Sequence, residues 1–155
     1  MRFHLIDSVV ACEPGQSVRG LKLTSLSEEY WEDDGDGLTM PAPLILEALC
    51  QAGTWLIMIT TERRKRAALL SIAGVEFIGR VVPGDVLQLD GTIDSMSDEV
   101  AVISGTVTVQ GGEPVLEATE IMCALIDAGD LADLDDTLRL QNMLTRNGSL
   151  KEANA

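Results

Sequence analysis

A single histidine, His4, occurs among 155 residues. That excludes a zinc site built from several imidazoles and leaves little from which to assemble a nucleophile–histidine–acid triad. Basic residues are also scarce: 11 Lys and Arg stand against 25 Asp and Glu, a formal net charge of −14. So acidic a chain offers no broad cationic face to a phosphate backbone or an anionic membrane, which sets nucleic-acid and membrane-surface binding aside. The three cysteines, Cys12, Cys50 and Cys123, are far apart and show no C-x-x-C spacing. An odd, scattered set reads as buried thiols in a reducing compartment, not as a disulfide framework. No basic-then-apolar leader opens the sequence, and no glycine-rich phosphate loop follows a strand. The longest apolar stretch, Leu44 to Ile59, is broken by Glu47 and Gln51 and falls short of a membrane span. These absences predict a cytoplasmic domain with no metal centre and no membrane insertion.

What is present suits one core. The chain is 46% hydrophobic and 23% charged, and a domain of this length buries roughly 70% of its unfolded surface. Arg2–Val10 reads as a short helical or extended segment, stopped at Glu13-Pro14-Gly15. Ser17–Leu26 alternates like a strand, and Glu28–Gly37, with six acids and no base, reads as a loop. Pro41 and Pro43 mark a helix start, where a missing N–H costs nothing. From Leu44 to Thr61 the pattern is apolar nearly all round, so this helix must be enclosed. Glu62-Arg63-Arg64-Lys65-Arg66 follows, with its cations expected at the helix C-terminus where the dipole favours them. Four β-rich runs come next: Leu69–Phe77, Val86–Ile93, Val100–Val109 and Val115–Leu125, joined by short turns. Leu131, Leu134, Leu138 and Met143 then suggest a short amphipathic helix, and the polar tail from Asn147 is expected to fray. The fold class is α+β, an antiparallel sheet wrapped around one long central helix. Residues 1–126 form the domain and residues 127–155 a C-terminal extension.

Two stretches make this specific. Met40-Pro41-Ala42-Pro43-Leu44-Ile45-Leu46-Glu47-Ala48-Leu49-Cys50-Gln51-Ala52-Gly53 resembles the Met-Pro-Gly…Glu-Ala…Gln-Ala segment of the FabZ-type 3-hydroxyacyl-acyl-carrier-protein dehydratases. Val81-Val82-Pro83-Gly84-Asp85-Val86-Leu87 resembles that family's Val-Val-Pro-Gly-Asp turn and the strand after it. Phe3–Val10 and Gly105–Leu125 are similar to its opening and its last two strands. The resemblance implies the hotdog fold and a dehydration chemistry. In the family a histidine of a His-Phe-Pro-Gly motif removes the α-proton of a 3-hydroxyacyl thioester. A carboxylic acid fourteen positions later protonates the departing hydroxyl. β-Elimination needs this pair because the α-carbon is weakly acidic and hydroxide leaves poorly. Backbone N–H groups at the helix start hold the charge that grows on the thioester oxygen.

Glu47 occupies the acid position. Counting back fourteen gives Asp33, and a one-residue gap gives Asp34, so these carboxylates take the base position where His-Phe-Pro-Gly is absent. An ordinary Asp has a pKa near 3.9 against about 6.5 for His, which costs about 3.5 kcal/mol of driving force. The family's glycine after Met-Pro is Ala42, followed by Pro43, which has no N–H to donate. Gln51 and Met40 with Ala42 complete the expected substrate-binding positions. Each assignment has a plainer alternative: Glu47 as a structural carboxylate bonded to Gln51, Asp33 and Asp34 as a solvated loop, and Cys50 as a buried thiol. Arg63, Arg64, Lys65 and Arg66, four of the eleven cations, form either a solvated helix end or a docking site for an acidic acyl carrier protein. The resemblance implies no resident cofactor, the substrate arriving on phosphopantetheine, and a homodimer or a mixed hotdog dimer whose partner brings the histidine. A non-catalytic half-site subunit and an acyl thioesterase are the alternative functions, in either fatty-acid or polyketide metabolism.

Overall fold

A computed structural model describes residues 4–130, 134–146 and 148–150. Its strands are β1 (Ser8–Glu13), β2 (Ser17–Leu23), β3 (Glu32–Asp33), β4 (Leu38–Thr39), β5 (Lys65–Phe77), β6 (Val86–Met96), β7 (Val100–Val109), β8 (Pro114–Asp127) and β9 (Ser149–Leu150). The helices are α1 (Ala42–Thr60) and α2 (Leu134–Thr145). Seven strands form one sheet in the order β5-β8-β7-β6-β2-β1-β9, antiparallel except where β9 lies parallel to β1. The remaining two, β3 and β4, pair as a small hairpin whose first strand and turn lie in the acidic segment expected to be a loop.

The helix α1 packs on the sheet through Ile45, Ala48, Leu49, Ala52 and Leu56, the three-and-four spacing that puts side chains on one helical face. Beneath it, β6 alternates as a half-buried strand should, with Leu87 and Leu89 inward. Helix and sheet meet most closely at two glycines. A Cβ on Gly53 would come within 3.2 Å of Ile103, and one on Gly105 within 2.5 Å of the Asp90 carbonyl oxygen and 2.8 Å of Leu49. By length and composition α1 could cross a membrane, but it is the core helix of this sheet.

Three expectations need correcting. The helix stops at Thr60, where the hydroxyl of Thr61 accepts the Lys65 N–H (3.1 Å) and donates to the Ile57 carbonyl (2.9 Å). Glu62 and Arg63 then turn the chain with φ of 52° and 66°, a left-handed conformation costing roughly 1–2 kcal/mol per residue. Lys65 and Arg66 therefore open β5 and are not helix-end cations; helix propensity gives way to a turn made by Thr61. Second, the buried face of α2 is Thr137, Gln141 and Leu144, while Leu138 and Met143 are exposed; Leu131 lies outside the described residues. Third, Ser149–Leu150, within the tail expected to fray, pairs with β1 at the sheet edge. Gly148 permits this, since a Cβ there would collide with the Val9 carbonyl oxygen. Asn147 and residues 151–155 lie outside the described residues.

A buried lysine fixes the segment before α1. Lys22 is 5% exposed. Its Nζ donates to the Leu23 carbonyl (2.7 Å) and to both carboxylate oxygens of Glu28 (3.1 Å each), with Asp7 at 3.8 Å and the Tyr30 ring at 5.8 Å. Tyr30 packs against Trp31, whose indole N–H donates to the Ser25 carbonyl (2.8 Å).

Burial pushes the thiols of Cys12 and Cys50 up to about 11 and raises that of Cys123. The unfolded thiols ionise near pH 8.5, so between there and pH 11 the folded chain holds protons that the unfolded chain has lost. Stability is therefore full below about pH 8.5 and falls as pH rises, by about 2–3 kcal/mol for Cys12 alone. Urea midpoints between pH 8 and 11 measure this. The drop shrinks in Cys12→Ser, and an identical drop in that variant contradicts the assignment.

Candidate active site

The centre of the site is one turn of α1. Gln51 donates from Nε2 to Glu47 Oε1 (3.0 Å), while its own Oε1 accepts the backbone N–H of Leu5 (2.8 Å) and, at 3.4 Å, that of Ile6. The spacing of four puts the two side chains on one helical face. The amide thus ties the chain's first segment to the carboxylate and fixes its orientation. Glu47 is itself exposed in the single chain, so within one protomer its carboxylate is not enclosed.

His4 immediately precedes Leu5, which places the only histidine one residue from the Gln51 contact. Its imidazole lines a shallow groove of about 490 Å³ with Asp136, Arg139, Leu140 and Met143 of α2. Burial lowers its pKa, against an opposing pull from Asp7.

The two motifs that carry the family resemblance meet in space. The N–H of Met40, which is buried, donates to the Val81 carbonyl (2.9 Å). Val82-Pro83-Gly84-Asp85 forms a tight turn closed by Asp85 N–H to Val82 O (3.1 Å), with Gly84 at φ 97°. At the start of α1, Pro41 and Pro43 carry no N–H, and the amides of Leu44 and Ile45 go to the Pro41 carbonyl (2.9 and 3.4 Å). Ala42 supplies the amide between the two prolines.

The acidic hairpin separates its two carboxylates. Asp34 is gripped by both arms of Arg80, Nε to Oδ2 and Nη2 to Oδ1, each at 2.8 Å. The Asp36 N–H donates to Asp34 Oδ1 as well (3.0 Å). That backbone bond first, and then Arg80, hold the Asp34 carboxyl below its ordinary value. A carboxylate so held is a poor proton acceptor, so the geometry argues against Asp34 as base. Asp33 accepts only the local Gly35 N–H (2.9 Å) among the described residues and faces solvent.

Next to Glu47, the half-buried Cys50 lines a small cavity of about 40 Å³ with Leu49, Gly53, Leu69, Ile103 and Cys123. Burial first, and then the charge of Glu47, keep the Cys50 thiol protonated at neutral pH, so it is a wall and not a nucleophile. The cavity lies beside β5, an edge strand whose Leu69 and Leu70 are 56% and 57% exposed.

The basic run sits at the far end of α1. From Glu47 to Thr60 is about 20 Å of helix. None of its four cations is simply solvated. Arg63 donates to Gln141 Oε1 (3.3 Å), Arg64 to the Thr61 carbonyl (3.0 Å) and Arg66 to Thr137 Oγ1 (2.6 Å), while Lys65 pairs with Asp127 (2.8 Å).

Comparison with known proteins settles the family. Residues 1–119 match the FabA-like domain. The chain belongs to the FabA-like family. Among its relatives is a 3-hydroxyacyl-[acyl-carrier-protein] dehydratase FabZ of Roseiflexus sp. strain RS-1, 38% identical over 129 residues, 82% of this chain and 89% of that protein. The FabZ of Listeria monocytogenes is 35% identical over 127 residues, 81% of this chain and 87% of that protein. The chain is thus a FabZ-type, dehydratase-like hotdog protein. Solved structures bear out the architecture. A Streptococcus mutans protein with bound acetyl-CoA superposes with a TM-score of 0.64 at 20% identity, over 82% of this chain and 93% of that one. A Haemophilus influenzae thioesterase gives 0.61 at 10% identity, over 81% and 80%. At these identities the likeness is one of fold alone.

Proposed function

We propose that this FabA-like family member dehydrates 3-hydroxyacyl thioesters delivered on phosphopantetheine by an acyl carrier protein, in the fatty-acid or polyketide metabolism of the cytoplasm. The observation that carries this is Glu47, at the family's acid position and oriented by the Gln51 bridge to Leu5. Glu47 protonates the leaving hydroxyl as the C–O bond breaks. The α-proton goes to a loop carboxylate, and with Asp34 held by Arg80 that role falls to Asp33. The Ala42 N–H is the amide available at the helix start for the charge growing on the thioester oxygen. Met40 and Gln51 position the acyl group.

A dimer completes the site. The exposed Leu69 and Leu70 on an unpaired edge are the surface that a second hotdog chain covers. Its arrival closes the cavity at Leu69 and supplies the loop that faces Glu47. The Asp34–Arg80 clamp favours one further reading, a mixed dimer in which a histidine-bearing partner supplies the base.

The purified chain alone, given a 3-hydroxyacyl pantetheine thioester, is expected to generate the ultraviolet absorbance of the conjugated enoyl thioester. Absorbance that appears only after a histidine-bearing hotdog partner is added assigns the chain to the mixed dimer. Release of free thiol from a saturated acyl thioester, with no enoyl product, overturns the dehydratase in favour of a thioesterase.

A further inference from the structure

We propose that Arg80 is a positioning residue for the dehydration: its two-pronged grip on Asp34 fixes the tip of the β3–β4 hairpin, and with it the neighbouring Asp33. The inference rests on the reading that Asp33 takes the α-proton. It gives a purpose to a side chain that lies just outside the two stretches carrying the family resemblance.

The hairpin cannot hold itself. Its strands are two residues each, joined by the pairs Glu32–Thr39 and Asp33–Leu38, and so short a two-stranded ribbon is marginal in water. The tip, Asp34-Gly35-Asp36-Gly37, has its two glycines at φ of 97° and 118°, where a side chain is disfavoured and the backbone is least restricted. Local bonds shape it: the Gly35 N–H donates to Asp33 Oδ1 (2.9 Å), the Asp36 N–H to Asp34 Oδ1 (3.0 Å) and the Asp34 N–H to the Gly37 carbonyl (3.2 Å). None of these ties the tip to the rest of the domain. Glu32, Asp33, Asp34 and Asp36 also crowd together in sequence, and their charges repel one another.

The tie comes from the segment between β5 and β6, which is itself firmly anchored. The Ile78 and Gly79 N–H groups both donate to the Val115 carbonyl of β8 (2.8 and 3.2 Å), and a Cβ on Gly79 would come within 3.1 Å of Val115. Two residues on, Val81 is fully buried. Its carbonyl accepts the Met40 N–H (2.9 Å) and the Thr39 hydroxyl (3.3 Å). Arg80 stands between these anchors. Its Nε and Nη2 take the two oxygens of Asp34, and Nη2 reaches the Gly37 carbonyl at 3.4 Å. Among the described residues this is the hairpin's only ion pair. One short segment thus holds the hairpin twice, at its tip through Arg80 and at its exit into α1 through Val81. A guanidinium fork fixes a carboxylate in direction as well as distance. Neighbouring acids then divide the work: Asp34 is engaged by Arg80 and Asp36, while Asp33, one residue away, faces solvent where substrate can meet it.

The test is steady-state dehydration of a 3-hydroxyacyl pantetheine thioester by the purified chain, with melting curves, for Arg80→Gln, Arg80→Lys, Asp34→Asn and the double variant Arg80→Gln/Asp34→Asn. Arg80→Gln is expected to lower kcat by about ten- to a hundredfold with KM unchanged, the effect of a base that is present but misplaced. Tm should hold, because the ion pair is partly exposed, at 42% and 36%. Arg80→Lys should recover part of the loss, since it keeps the charge without the fork. Asp34→Asn should lower kcat by a similar factor, and the double variant no further than either single one, because both changes break the same contact. Wild-type kcat in Arg80→Gln overturns the inference. So does a loss that appears as a lower Tm or a raised KM with no rescue by lysine. Collapse of activity in Asp34→Asn with Arg80→Gln unaffected would make Asp34 the base, and overturns it too. No enoyl thioester from the unmodified chain overturns Asp33 as base, and this inference falls with it.

Discussion

Glu47→Gln is expected to lower kcat for dehydration by about 10²- to 10⁴-fold, the usual contribution of a positioned acid. Thermal unfolding and dimer formation should be unchanged. The substitution is nearly isosteric, and the exposed carboxylate leaves no buried charge to strand when it is removed. Gln51 Nε2 can still donate to the amide oxygen that replaces Glu47 Oε1, so the bridge to Leu5 survives. What disappears is the transferable proton. KM should therefore move little, because the variant leaves Met40, Gln51 and the Ala42 amide in place. Steady-state kinetics beside a melting curve make the check. An equal rate in the variant would return Glu47 to the structural role that its bond to Gln51 also permits.

The largest effect on stability is expected from Lys22→Met. The ammonium is almost fully buried and contacts Glu28, the Leu23 carbonyl and the Tyr30 ring, with Asp7 nearby. Removing one partner of such a pair strands the others, a loss of about 3 kcal/mol or more. For a chain of this length that lowers Tm by roughly 6–12 °C. Chemical denaturation at neutral pH measures it directly. The same change frees the Ser25–Trp31 segment that leads into the acidic hairpin, so catalysis at low temperature should also fall. A loss below about 0.5 kcal/mol would mean that solvent stabilises these charges in place of Lys22.

The sequence made the layered architecture readable because its signals are local. Alternation in Val86–Ile93 and Val100–Val109, and the apolar run from Leu44, are properties of neighbouring residues, and the strands and helix lie where those patterns predict. The positions of Glu47 and Gln51 were legible for the same reason, four residues apart on one helix. What the sequence concealed depends on long-range pairing. Nothing near Asp34 announces that Arg80, 46 residues away, will hold it. Nothing in Leu5 announces that its amide will meet Gln51, also 46 residues away. The start of β5 was misplaced because Arg63–Arg66 suits a helix end by charge, whereas Thr61 and two left-handed residues end the helix first. The polar face of α2 was hidden by the leucines around it, since Thr137 and Gln141 look like surface residues until their arginine partners are known.

The most direct measurement is mass spectrometry of a 3-hydroxyacyl pantetheine thioester incubated with the purified chain in water enriched in heavy oxygen. Dehydration is reversible, so the proposed chemistry places the label in the hydroxyl on the β-carbon of recovered substrate, alongside enoyl thioester. Glu47→Gln should suppress both. Label found solely in the carboxylate of a released fatty acid, or recovery of unlabelled 3-hydroxyacyl thioester with no enoyl thioester, would contradict dehydration by this chain.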